Sequence, residues 1–264
     1  MTEWRLVREE AREGALNMAL DEVAARTAAE GGPRTVRVYR WDPGTLSLGY
    51  RQDPATVDWD YCDDAGVDVV RRPTGGGGIY HDPVGDISYA IAAPAGEFPG
   101  DLLDCYHDLC EPIFDAFAAL GVDAEFASEA AEGTYQPACY LRGRNPAHDV
   151  VVDGRKISGN AQYRQHDAVV QHGSLTYATR PERHRRVFAD APDAFDEVAS
   201  IAGCADASRA RAVTALEDAL RNWAGAEEGS WTEAELADAR ALADEKYRSA
   251  AWTRERTAPT QSER

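Results

Sequence analysis

Strands follow one another through short polar turns in this sequence, and that order is the strongest constraint on its fold. Residues 35–41, Thr-Val-Arg-Val-Tyr-Arg-Trp, alternate as a half-buried strand does, and after Asp42-Pro-Gly44 residues 45–50 read as the neighbouring strand of a hairpin. Further strands are expected at 67–71, 86–91 and 122–126, then three in succession at 150–152, 155–162 and 168–177. Helical periodicity marks residues 17–30, a short stretch at 59–65, and 102–120, 181–189, 210–223 and 232–247. A doubly wound parallel sheet needs a helix after most strands. The order here predicts an α+β fold, a mixed and largely antiparallel sheet flanked by helices. Residues 1–252 are expected to form a single domain and 253–264 a charged, disordered tail. The N-terminus is polar and no apolar run approaches membrane-spanning length, so a soluble, cytoplasmic chain is expected.

With 46 acidic against 28 basic residues the net charge is −18. A surface of that sign repels phosphate backbones and anionic lipid, which excludes a nonspecific nucleic-acid or membrane binder. Abundant acids and scarce lysine suit a protein that works in molar salt, where the Debye length falls to about 3 Å. A halophile's cytoplasm is the expected setting. Of the basic residues only Lys156 and Lys246 are lysine. Lys156 stands in the polar string Asp153-Gly-Arg-Lys-Ile-Ser-Gly-Asn-Ala-Gln162. An ammonium is a compact point charge that fits against a phosphate or carbonyl oxygen, whereas a guanidinium is a planar fork. Lysine retained there, in a chain that uses arginine almost everywhere else, marks a chemical role. The five cysteines show neither a Cys-x-x-Cys pair nor zinc spacing with the six histidines, so no metal site is expected and any functional cysteine acts alone.

Four consecutive glycines, 75–78, follow a strand and the pair Arg71-Arg72. Without Cβ atoms a backbone can approach a ligand closely and turn successive N–H groups toward an anion. Arg71 and Arg72 are candidates for phosphate contacts, with Thr74 adding a hydroxyl. A Walker loop needs Gly-Lys-Ser/Thr and a dinucleotide fingerprint needs a βαβ unit, and neither is present. The expectation is a phosphate-contacting loop of another kind. His81 follows the loop, next to Asp82; neighbours on a strand point to opposite faces, so His81 is expected to hold the loop's shape rather than pair with Asp82.

Two long motifs carry a family resemblance. Arg71-Arg-Pro-Thr-Gly-Gly-Gly-Gly-Ile-Tyr-His-Asp82 with Gly85-Asp-Ile-Ser-Tyr89 resembles the first signature of the lipoate–protein ligase A and octanoyltransferase family. The Lys156 string with Gln171-His-Gly-Ser-Leu175 resembles the second. Asn17-Met-Ala-Leu-Asp21, Leu46-Ser-Leu-Gly-Tyr50 and Lys246-Tyr247 with Trp252 also match, so the likeness spans nearly the whole chain.

The resemblance implies a catalytic domain related to biotin protein ligases and class II synthetases. As a ligase it would use ATP with Mg2+ and lipoate, form lipoyl-adenylate, and pass the acyl group to a lysine of a carrier domain. Carriers of that kind are the lipoyl domains of 2-oxoacid dehydrogenase complexes and the glycine cleavage H protein. By the resemblance, Arg72, Thr74, Gly75, Gly76, Gly77, Gly78, Ile79, Tyr80, His81, Lys156, Ser158 and His172 line the adenylate site, and Lys156 bridges phosphate and acyl carbonyl. Val70 and Ile157 are expected along the acyl tunnel. Pro137-Ala-Cys-Tyr140 resembles the cysteine segment of the octanoyltransferase branch, which takes its acyl group from acyl carrier protein without ATP. There Cys139 would form a thioester and Lys156 would lower its pKa. Gly143-Arg-Asn145 and Gly85-Asp86 instead look like ligases, and a ligase of this length implies a separate small accessory subunit. The ligase is the first expectation and the transferase the alternative. A non-catalytic acyl- or adenylate-binding regulator on the same fold is a third.

Overall fold

The structure, a computed structural model, describes residues 3–127, 149–165, 167–190 and 198–257. In chain order the elements are β1 (Trp4–Arg12), α1 (Gly14–Ala29), β2 (Arg34–Trp41), β3 (Thr45–Leu48), α2 (Trp59–Asp64), β4 (Asp68–Arg71), β5 (Ile79–His81), β6 (Asp86–Pro94), α3 (Leu102–Ala119) and β7 (Glu125–Phe126). After the undescribed stretch come β8 (Asp149–Val152), β9 (Arg155–Gln165), β10 (Ala168–Thr176), α4 (Pro181–Arg186), α5 (Ile201–Cys204), α6 (Arg209–Ala224), β11 (Glu227–Glu228), α7 (Glu233–Leu242) and α8 (Ala250–Glu255). A large sheet runs in the order β11-β1-β2-β6-β10-β9-β8-β7, and a small one β4-β3-β5. Pairing is parallel along β11-β1-β2 and between β3 and β4, and antiparallel elsewhere. The mixed, largely antiparallel α+β architecture is the one the strand order demanded.

β6 shows how the layers are set. Its side chains alternate between faces with a period of two. Ile87, Tyr89 and Ile91 enter a core with Leu109 and Ile113 of α3 and Leu216 of α6, while Ala90 and Ala92 face Met18 and Val23 of α1. Each large aliphatic buried this way contributes roughly 1.5–3 kcal/mol. The alanines let α1 lie close to the sheet. Its first residue is equally tight: a Cβ on Gly14 would sit 2.7 Å from Thr45 Cγ2 and 2.9 Å from Val70 Cγ1, so the helix start is wedged against the small sheet. α7 begins with a capping box between Thr232 and Glu235 and runs into a single π-helical turn, Ala243–Tyr247. On that turn Lys246 Nζ and Tyr247 Oη both donate to Glu22 of α1, at 2.7 and 2.8 Å. The second lysine of the chain therefore ties the C-terminal helices to α1.

Three expectations change. β1 escaped the sequence pattern because it is studded with arginines; Arg5 and Arg8 belong in a strand because Glu235 and Glu217 neutralise them. The hairpin expected over 35–50 does not form: β2 pairs with β1 and β6, whereas β3 joins β4 and β5 in the other sheet. The domain boundary expected at residue 252 falls inside α8, and Thr253 is buried, so packed chain runs beyond it. Among the described residues no helix is long and apolar enough to cross a membrane.

Candidate active site

The glycine loop joins β4 to β5 and folds over the residues that follow β3. Gly76 has φ 99°, in the left-handed region open to glycine. A Cβ on Gly49 would lie 1.8 Å from the Gly76 carbonyl oxygen, so the two segments touch backbone to backbone. Arg72 is buried beneath them. Its Nη1 donates to Ser47 O (2.7 Å) and Ser47 Oγ (3.0 Å), its Nε to Thr74 Oγ1 (3.2 Å), and its Nη2 to Gly75 O (3.0 Å) and Gly77 O (2.8 Å). A guanidinium has five N–H donors, and these five contacts engage them. Arg71 is fully buried and reaches elsewhere, to Thr253 O (2.9 Å) and to the carbonyls of Gly49, Tyr50 and Gln52. In this arrangement a phosphate contact from Arg72 would have to displace one of its protein oxygens. Arg72 gives its donors to oxygens of the loop and β3, and Arg71 gives Nε and Nη1 to backbone carbonyls, while the buried Arg71 Nη2 has no hydrogen-bond partner among the described residues.

Two histidines flank Arg72. His81 Nε2 lies 2.9 Å from Ser47 Oγ and its Nδ1 3.0 Å from Asp86 Oδ2, with the ring stacked on Trp41. His172, on β10, places Nε2 3.0 Å from Thr74 Oγ1 and Nδ1 3.0 Å from Asp21 Oδ2. His81 thus bonds Ser47, which Arg72 also bonds, rather than the glycine loop itself, and its carboxylate is Asp86, not the adjacent Asp82. Asp82 instead caps the turn by accepting from the backbone N–H groups of Val84 and Gly85. Burial pushes the Asp21 carboxyl upward, but the Arg37 guanidinium and His172 outweigh it and leave the pKa below the ordinary carboxylate value.

Lys156 sits near the start of β9. The two-residue turn before it, Asp153-Gly154, has φ 50° and 72°, the double positive φ of a type I′ hairpin. The β8–β9 register then shifts between Val150 and Val151, opposite Lys156. Lys156 Nζ lies 2.7 Å from Asp149 Oδ1, and both residues are buried. Gly159 makes room for the side chain: a Cβ there would meet Lys156 Cε at 3.0 Å and Nζ at 3.1 Å.

Two cavities meet at Lys156, sharing Ile79, Gly159 and Ser174 in their walls. One is lined by Met18, Tyr39, Trp41 and Ala161 together with Arg72 and His172, and holds about 490 Å³ of atom-free space, its mouth included. Its aromatic and aliphatic walls suit an acyl chain. The second, of the same size, is lined by Tyr80, Asp82, Ser158 and His184 and is more polar. Burial pushes the His184 imidazole down to about 4, only partly opposed by Asp86 and Asp82. A neutral ring therefore faces this cavity near pH 7. Among the described residues no group of three His, Cys, Asp or Glu side chains is placed to hold a metal ion.

The lipoyl protein ligase A/B catalytic-domain family matches this chain over residues 13–228. The chain belongs to that family. Among curated relatives it is 36% identical over 188 residues, 69% of each chain, to octanoyltransferase LipM of Kyrpidia tusciae. Among solved structures it resembles a lipoate-protein ligase A bound with ATP (TM-score 0.81, 25% identity, 96% of this chain and 99% of that one). It is similar also to the bi-partite lipoate protein ligase of Thermoplasma acidophilum, described with its E2 lipoyl domain (TM-score 0.77, 25% identity, 96% and 97%). These relatives are enzymes, and this chain of the lipoyl protein ligase A/B family is one.

Within this catalytic domain Gly75, Ile79, His81, His172, Arg72 and Lys156 gather on the apolar cavity, and Tyr80 and Ser158 on the polar one. Thr74 reaches it through His172. Gly78 packs instead against Phe188, 2.8 Å from where a Cβ would stand. Val70 and Ile157 line neither cavity; Val70 packs with α1, and Ile157, one step along β9 from Lys156, enters the core on the opposite face. Cys139 and the segments around it lie outside the described residues. Of the described cysteines, Cys62 and Cys110 are pushed up to about 12, chiefly by burial, which leaves both thiols protonated at neutral pH. Sequence reasoning missed Trp41, Ser47, Asp149 and Asn160. Asn160 and Ser47 carried a signal, being in the lysine motif and in the Leu46–Tyr50 match; Trp41 and Asp149 carried none.

Proposed function

We propose that the protein is an octanoyltransferase, which moves an octanoyl group from acyl carrier protein to the ε-amino group of a lysine on a lipoyl carrier domain through a thioester on Cys139. The observation that carries this reading is the 36% identity to octanoyltransferase LipM, which exceeds the 25% identity to the ligases. In the first step the Cys139 thiolate attacks the acyl thioester and releases the carrier thiol, which takes a proton. In the second the neutral carrier amine attacks the enzyme thioester; the amide forms, Cys139 leaves as thiolate, and the amine's proton passes to solvent. The Lys156 ammonium favours the thiolate and draws the charge that builds on the carbonyl oxygen. The cavity beside it, walled by Met18, Tyr39 and Trp41, takes the octanoyl chain. Lipoyl domains of 2-oxoacid dehydrogenase complexes or a glycine cleavage H protein are the acceptors.

The likeness to a ligase bound with ATP favours a second reading, ATP-dependent attachment of lipoate. Against it, an adenylate phosphate would find the donors of Arg72 already engaged with backbone and side-chain oxygens. Incubation with octanoyl–acyl carrier protein and apo carrier domain, in parallel with lipoate, Mg-ATP and the same domain, separates the two. Octanoylated product from the first mixture, abolished by Cys139→Ser, is expected. Product from the second alone, indifferent to that substitution, makes the protein a ligase. Binding of donors without product in either mixture makes it a regulator.

A further inference from the structure

Arg72 is the meeting point of two hydroxyl–imidazole–carboxylate relays drawn from separate elements. One runs Ser47 (β3), His81 (β5), Asp86 (β6); the other runs Thr74 (glycine loop), His172 (β10), Asp21 (α1). Counting protons fixes their direction. A guanidinium only donates, so both hydroxyl oxygens accept from Arg72. Each hydroxyl hydrogen then points away. For Ser47 the choices are His81 Nε2 at 2.9 Å or Ile79 O at 3.5 Å, and the shorter contact is the better bond. An Nε2 that accepts carries no proton, so the ring's single proton is on Nδ1, where Asp86 receives it. The same order holds from Thr74 through His172 to Asp21. Asp21 has no freedom to reverse it, because its other oxygen accepts from Arg37 Nε and Nη2 at 3.0 and 2.6 Å.

We propose that His81 and His172 are positioning residues of the acyl transfer: as neutral Nδ1–H tautomers they turn the Ser47 and Thr74 oxygens toward Arg72, which then holds the Gly75 and Gly77 carbonyls and keeps the glycine loop in place on the acyl cavity. With the proton on Nε2, each hydroxyl faces donors on two sides. Its hydrogen must then leave the relay, for Ser47 toward Ile79 O at 3.5 Å, and Arg72 shares its acceptor oxygen with the imidazole N–H. The two relays bind the small sheet, the large sheet and α1 to one side chain, so the loop's position depends on proton placement as well as on packing. The mechanistic half of this inference rests on the transferase reading; the tautomers do not.

The test uses the full chain labelled with ¹⁵N-histidine at about pH 8. Imidazole ¹⁵N shifts, assigned with His81→Gln and His172→Gln, are expected to show Nδ1–H at both positions. An Nε2–H tautomer or an imidazolium at either one overturns the proposal. Asp21→Asn is the isosteric probe: Arg37 claims the amide oxygen, so the amide nitrogen faces His172 Nδ1 and drives the proton to Nε2. His172 alone should change tautomer, and octanoyl transfer should fall at least tenfold in kcat with KM for the acyl donor altered less than threefold. Unchanged kcat with the flipped tautomer overturns the positioning role. If Asp21→Asn does not fold, His172→Gln, whose amide oxygen still accepts from Thr74, should turn over at least fivefold faster than His172→Ala; equal rates overturn it. Should the wild type transfer no octanoyl group, the transferase reading fails, and the wild-type shifts still decide the relays.

Discussion

Replacing Arg72 by lysine keeps the charge and removes the fork. The guanidinium bonds five oxygens, on Ser47 (two), Thr74, Gly75 and Gly77, while an ammonium has three donors, so at least two buried acceptors lose their partner. A hydrogen bond from a charged donor is worth about 1.5–3 kcal/mol net. Two lost bonds give about 3–6 kcal/mol, and water entering the loosened loop brings the expected cost to about 3 kcal/mol. That is a large share of a domain's typical stability of about 5–15 kcal/mol. In urea titration followed by tryptophan fluorescence, the midpoint should drop by about 1 M for a slope near 3 kcal/mol/M. Octanoyl transfer should fall with it, because the loop borders the acyl cavity. The contrasting expectation, Arg72 as a phosphate ligand facing solvent, predicts unaltered stability for Arg72→Lys. A midpoint within about 0.2 M of wild type, which is about 0.6 kcal/mol at the same slope, would refute the loop-holding role.

Lys156→Arg should abolish turnover, by 100-fold or more in kcat, with a melting temperature close to wild type. The planar head does not fit the slot over Gly159, and Asp149 still receives a cation; retention of a tenth of the activity would contradict this. His184, held down to about 4, stabilises the fold in its neutral form. Its contribution is present above the unfolded value of about 6.5 and is lost as pH falls toward 4. A drop of that size is worth at most about 3 kcal/mol, and the partly exposed ring lowers this to about 1–2 kcal/mol. His184→Gln should flatten the stability profile between pH 6.5 and 4, measured by denaturation at each pH. Finally, a chain of net charge −18 should repel an acceptor lipoyl domain chosen to be acidic, so coupling to such a domain should accelerate as KCl rises into the molar range; a rate falling steadily from low salt would contradict it.

Legibility varied with the range of the interaction. The strand succession exposed the sheet because turns and periodicity are local. β1 stayed hidden because Arg5 and Arg8 read as surface charge, and their neutralising partners, Glu235 and Glu217, are more than 200 positions away. The site was half legible. Lys156 stood out by composition, and the glycine run by its lack of Cβ atoms. Arg71 and Arg72 beside glycines look like an anion cradle, and the backbone carbonyls they bond are invisible in the sequence. Val70 was assigned to the tunnel because an apolar residue in a strand does not reveal which cavity or core it meets.

The sequence by itself determined the family and the α+β class and singled out Lys156 by composition, since motif, turn and composition are written along the chain. Only the tertiary structure decided that Arg72 serves the loop, that Asp149 pairs with Lys156, and that Asp21 and Asp86 orient the two histidines. Hydrogen-bond direction and burial depend on which distant groups share a volume from which water is excluded, and no local pattern encodes that.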